Sequence, residues 1–178
     1  MFEPRFITRK EWKAWNFPVD KPLYPMVPMN VVIHHYGDFN NDSTSKTSEK
    51  FKDCSSIRKL QKKFKYDKKL LDIPYHYVIG ADGNIYECRP PDRLGSHLIG
   101  KIGLHSIGIM LYGNFDVEIV PDKMKIALVT LLRKLKNEFS SLHFPECIKT
   151  HMEMQKKTKC PGKNLCIFVE KIRKHCQF

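Results

Sequence analysis

No apolar stretch in the 178 residues approaches the roughly 20 that a membrane-spanning helix needs, so a transmembrane protein is excluded. The first thirty residues carry charges and Pro4, Pro18, Pro22, Pro25 and Pro28 where a signal peptide would need an apolar core; no signal peptide is expected. No CxxC pair occurs among Cys54, Cys88, Cys147, Cys160, Cys166 and Cys176, which leaves a zinc ribbon or a thioredoxin-like redox motif unsupported. An even count would allow three disulfides. A chain of this length, however, buries a core without staples, and mostly reduced thiols are expected. Internal repeats are absent. Acidic residues are few: 19 Asp plus Glu stand against 31 Lys plus Arg, for a net charge of +12. That balance favours polyanionic partners (nucleic acid, acidic lipid or anionic cell-wall polymer) and does not choose among them. With 42% apolar residues against 9 Gly and 11 Pro, the chain reads as globular, and its length fits one domain.

The pattern of apolar residues sets out the elements. Residues 1–30 read as an irregular arm packed on a domain spanning 31–178. Within the arm, Thr8 and Glu11 could form a capping box for a short helix. Residues 31–35 (VVIHH) are β-branched and apolar, a buried strand ending in two histidines. Residues 37–50 form a polar loop. Cys54, Ile57, Leu60 and Phe64 recur at helical spacing with lysines on the other face. Residues 75–80 and 84–88 flank Ala81-Asp82-Gly83, a hairpin signal. SIGIMLYG (106–113) is another central strand. Pro121 opens a long helix striped by Met124, Leu128, Leu131, Leu135 and Phe139. Residues 147–151 form a short strand leading to His151. After Pro161-Gly162 a last helix turns Leu165, Phe168, Val169 and Ile172 inward. Strands alternate with helices, so the fold class is α/β, a central sheet flanked by about three helices.

Chemistry is concentrated in histidine and cysteine. Taken singly, each of the eight histidines is more often a surface or core residue than a ligand. His34 stands apart because an apolar strand delivers it to a sheet edge just before a polar loop, a placement that suits a ligand or a base. His151 and Cys160 lie nine residues apart across HMEMQKKTKCPG. Imidazole and thiolate are both zinc ligands, and a third ligand such as His34 would leave one position open. The competing reading makes Cys160 a small buried hydrophobe beside a turn.

VVIHHYG, CSSIRKLQ, IPYHYVIGADGNIYECR, GSH, SIGIMLYGNFD, THMEMQKKTKCPGKNL and the opening FITRKEW occur in this order. In order and spacing they resemble peptidoglycan recognition proteins and phage-type N-acetylmuramoyl-L-alanine amidases, from about residue 6 to about residue 172. The resemblance implies a mixed sheet flanked by helices, with one zinc ion at the mouth of a groove for peptidoglycan or muropeptide. It places the zinc ligands at His34, His151 and Cys160, and catalytic hydroxyls at Tyr75 and Thr158. Arg89 and His97 fall on positions that would line the groove, where Arg89 could pair with a stem-peptide carboxylate, and His35 is expected behind the ligands or in the groove, not as a ligand. Members that keep all three ligands cut the bond between N-acetylmuramic acid and L-alanine; members that lose the cysteine bind peptidoglycan without cutting. Cys160 is present, so an antibacterial, wall-degrading zinc amidase is implied, with a non-catalytic recognition protein as the alternative.

Four departures from the family pattern stand out. The segment from His151 to Cys160 is about one residue longer than in many members. Met152-Glu153 replace Arg-Asp, which removes the usual support of His151. Met110 occupies the position of a glutamate base in a related branch, leaving the general base unassigned. Cys54 matches half of a disulfide of animal members, but its partner cysteine is missing. This favours a bacterial, phage or viral protein, made in the cytoplasm and acting on the wall, over a secreted animal one. A monomer is expected. Nucleic acid is not an expected partner, because no recognised nucleic-acid fold or aromatic stacking platform accompanies the lysine-rich segment.

Overall fold

The computed structural model describes residues 2–18, 21, 23–37 and 47–175, with backbone alone at 101 and 102. Most of the expected polar loop at 37–50, and Cys176, lie outside the described residues.

Six strands form one mixed sheet: β1 (Phe6–Ile7), β2 (Asn30–His35), β3 (Tyr77–Ile79), β4 (Ile85–Glu87), β5 (Ser106–Leu111) and β6 (Ile148–Thr150). Their spatial order is β1-β4-β3-β5-β2-β6. Only β3 and β4 pair antiparallel, joined by the 80–84 turn, where Gly83 donates to the Gly80 carbonyl and takes a φ of 82°. The other pairs are parallel, including β2 with β5 and with β6. Strands buried on both faces read as unbroken apolar runs, which is why β2 and β5 are the clearest in the sequence.

Among the described residues four α-helices complete the fold: α1 (Cys54–Tyr66), α2 (Asp122–Glu138), the single turn α3 (His151–Met154) and α4 (Lys163–His175). Asp53 caps α1 by accepting from the Ser55 N–H. Ile57, Leu60 and Phe64 of α1 pack with Val78, Tyr86 and Met110 on one sheet face. On the other face, Met124, Leu128, Leu131 and Leu135 of α2 join Leu165, Val169 and Ile172 of α4 over Val31, Ile33, Ile107 and Ile109. Burying a side chain of this kind is worth about 1.5–3 kcal/mol.

The N-terminal segment differs from an irregular arm. Phe6 and Ile7 form β1 beside Ile85 and Tyr86 of β4, and Pro25 bridges Arg93. Two paired residues are too short to leave a periodic signal. The Thr8–Glu11 box forms, with the Thr8 N–H donating to Glu11 Oε2 at 2.8 Å. No helix follows it: Lys13 takes a φ of 56°, and Trp12 turns inward, its indole N–H on the Glu87 carbonyl at 2.8 Å.

Candidate metal centre

Parallel pairing of β2 and β6 brings two carboxyl strand ends to one rim of the sheet, the usual location of sites in open α/β sheets. His34, the penultimate residue of β2, is 1% exposed. β6 ends in Thr150, which caps α3 in a full capping box with Glu153, so that His151 is the first residue of that turn. Arg173 of α4 grips Glu153 through both carboxylate oxygens, at 2.9 and 2.6 Å. Burial raises the Glu153 carboxyl, but its bonds to Arg173 and Thr150 prevail and hold it at about 2. The Met152-Glu153 departure therefore builds its own brace beneath His151.

Cys160 arrives from the loop before α4. Gly162 follows it with a φ of 87°, and a Cβ there would stand 2.5 Å from the Phe115 backbone carbon. Glycine is required by both the conformation and the approach. Cys160 Sγ lies 3.8 Å from His34 Nδ1, and one donor atom from each of His34, His151 and Cys160 falls within 4.8 Å of the others. Among the described residues this is the only such group of His, Cys, Asp and Glu side chains. The backbone N–H of His35 donates to the sulfur at 3.4 Å.

The site consists of neutral donors. Burial, helped by the neighbouring His97 and His151, holds His34 well below the usual imidazole range, and burial lowers His151 as well. Burial pushes the Cys160 thiol up to about 12, with the His35 N–H opposing it. Two lone-pair imidazoles and a thiol that needs a cation to ionise are the donor set of a three-ligand zinc site. The residues present fit that group.

Each remaining candidate has a definite place. The Tyr75 ring sits 5.0 Å from that of His34, and burial, with Cys160 and Tyr36 adding to it, raises its hydroxyl well above the ordinary range. Thr158 Oγ1 accepts from the Cys160 N–H at 3.1 Å, tying it into the same loop. His35 turns its ring away, with Nδ1 accepting from the Phe115 N–H at 3.2 Å. Arg89 is 6% exposed and donates to the carbonyls of Ile73 and Leu94, at 2.9 and 3.1 Å, so its guanidinium is engaged within the fold. His97 is also buried, 3.0 Å from His34 Nε2 through its Nδ1, and bonded to the Ser106 carbonyl through its Nε2 at 3.1 Å. Met110 is fully buried on β5, directly opposite His34.

Sequence reasoning missed Gln155, which contacts His151 Nε2 at 3.0 Å. Its i+4 position from His151 was the available signal. The role of His97 also had a signal, in Gly108 within a buried strand. A Cβ at Gly108 or at Gly95 would stand 2.5 Å from the His97 ring, so both glycines make room for it.

Comparison with known proteins places these features. The profile of the family described as N-acetylmuramoyl-L-alanine amidase matches residues 24–163. A peptidoglycan-recognition protein SD of Drosophila simulans is 34% identical over 124 residues, which cover 68% of this chain and 61% of that protein. The chain thus aligns with less than two thirds of that relative's length. The crystal structure of Drosophila peptidoglycan recognition protein SD superposes with a TM-score of 0.78 at 26% identity, covering 95% of each chain. The N-acetylmuramoyl-L-alanine amidase LysC of Clostridium intestinale gives 0.66 at 28% identity, covering 96% of this chain and 98% of that one.

Proposed function

The chain belongs to the N-acetylmuramoyl-L-alanine amidase family, and from that premise we propose that it is a zinc-dependent amidase that hydrolyses the bond between N-acetylmuramic acid and L-alanine in peptidoglycan. The observation that carries this reading is the convergence of His34, His151 and Cys160 at one rim of the sheet. A protein that only recognised peptidoglycan would not need a thiol among those donors.

In this reading His34, His151 and Cys160 would hold one zinc ion, which would supply a Lewis acid able to lower the pKa of water from 15.7 to about 7. The Tyr75 hydroxyl donates a hydrogen bond to the scissile carbonyl oxygen as that oxygen gains charge. Thr158 holds the Cys160 loop through its bond to the Cys160 N–H and offers a second hydroxyl toward the substrate. The His35 N–H stabilises charge on the sulfur. The net charge of +12 draws the protein to anionic walls by an attraction that salt weakens.

Purified peptidoglycan incubated with the protein tests the proposal. Release of free L-alanine N-termini is expected, to be abolished by chelator and restored by added zinc. Cys160→Ser should release none while still sedimenting with the wall. Wall left intact by the zinc-loaded wild type would leave a recognition protein as the function.

A further inference from the structure

Two backbone carbonyls determine which nitrogen each histidine of the metal centre can offer. A carbonyl oxygen only accepts, so the 3.1 Å contact between His97 Nε2 and the Ser106 oxygen places a proton on that nitrogen. With that proton on Nε2, the neutral ring carries its lone pair on Nδ1. At 3.0 Å from that lone pair, His34 Nε2 must donate. The proton of His34 therefore sits on Nε2, and the Nδ1 lone pair faces Cys160.

The second histidine is set in the same way. Gln155 Nε2 donates to the Ile99 carbonyl at 2.9 Å, which fixes the amide with Oε1 toward His151. His151 Nε2, 3.0 Å from that oxygen, must donate as well. Both imidazoles are thus held by different residues, through different carbonyls, with the same nitrogen free.

We propose that His97 and Gln155 are positioning residues that hold His34 and His151 as Nε2–H tautomers, presenting both Nδ1 atoms to a divalent metal. The inference rests on the metal-centre reading above and assigns His97 a role other than groove lining. It also explains how α3 and the longer segment to Cys160 support His151: the α3 turn puts residue 155 one helical turn beyond residue 151, within reach of its ring.

The test begins with metal-free, full-length protein labelled with ¹⁵N-histidine, in which long-range ¹H–¹⁵N correlation reads the tautomer of each ring. His34, His97 and His151 are expected as Nε2–H. A Nδ1–H form at His34 or His151 overturns the proposal, and this measurement needs no variant to fold. Zinc affinity is then measured by competition with a chromophoric chelator. Gln155→Leu, which has no acceptor, should weaken zinc binding by about 10–100-fold. Gln155→Glu, which keeps one, should restore it to within a few-fold of wild type. If Glu fares no better than Leu, Gln155 is not acting as the acceptor and the proposal fails. Nε2–H tautomers in a protein that takes up no zinc would support the positioning assignment and sink the hydrolase instead.

Discussion

Burial keeps the Tyr75 hydroxyl protonated across the physiological range, so its contribution is that of a neutral donor. Removing one such donor typically costs about 10²–10³-fold in kcat. Tyr75→Phe keeps the ring, and with it the packing against His34 and Phe64. Steady-state hydrolysis of a defined muropeptide should therefore show kcat reduced by that factor, with KM and zinc content little changed. An unchanged kcat would remove Tyr75 from the chemistry. At this scale the sequence carried the donor residues but not their partners. His34 could be picked out from its strand end, whereas His151 and Cys160 were singled out by the family resemblance, their spacing alone leaving Cys160 open as a small buried hydrophobe. The contacts of Arg89 were not legible, because what its guanidinium meets depends on the carbonyls of Ile73 and Leu94, set by loop paths that leave no periodic trace.

Between elements, Glu118 shows what local pattern cannot reveal. It lies in the β5–α2 connection and accepts from the backbone N–H groups of Thr47, Ser48 and Asn114, and from the Ser48 hydroxyl, closing the far end of the 37–50 loop against the sheet. Nothing in 106–121 marks it, because Thr47 and Ser48, the partners it ties down, lie about seventy residues away. Burial raises its carboxyl, but these donors prevail and lower it below 4.5. A carboxylate with a lowered pKa stabilises the fold above its unfolded value, and that contribution is lost as pH falls through the folded value. Glu118→Gln should thus cost about 1–3 kcal/mol in urea unfolding at pH 7. The gap from wild type should narrow as pH drops below 4.5, because the wild-type carboxyl then protonates too; a gap constant with pH would refute the ionic role. By contrast β2, β5, α1, α2 and α4 were readable nearly to their ends. Their apolar periods are strong, and each buries one stripe or both faces in the two cores.

Across the whole molecule, the three candidate metal ligands come from three chain segments at one rim, while the two cores lie on the faces of the sheet and contain none of the three. The fold and the site are therefore separable in energy. Zinc that binds only the native state stabilises by mass action, about 2.7 kcal/mol at 100 times Kd. For a chain of this size that corresponds to a rise in Tm of about 5–11 °C. Thermal unfolding followed by circular dichroism should show this rise on adding zinc and its loss on adding chelator. The chelated protein should still unfold in one cooperative step, because Leu128, Leu131, Ile33 and Ile109 remain packed whether or not an ion ties the rim together. Cys160→Ser should unfold near the chelated wild-type temperature and respond weakly to zinc. If chelator alone unfolded the protein, the metal would be a structural staple and the separation of core from site would be wrong. If zinc moved neither protein, the three donors would not be sharing an ion.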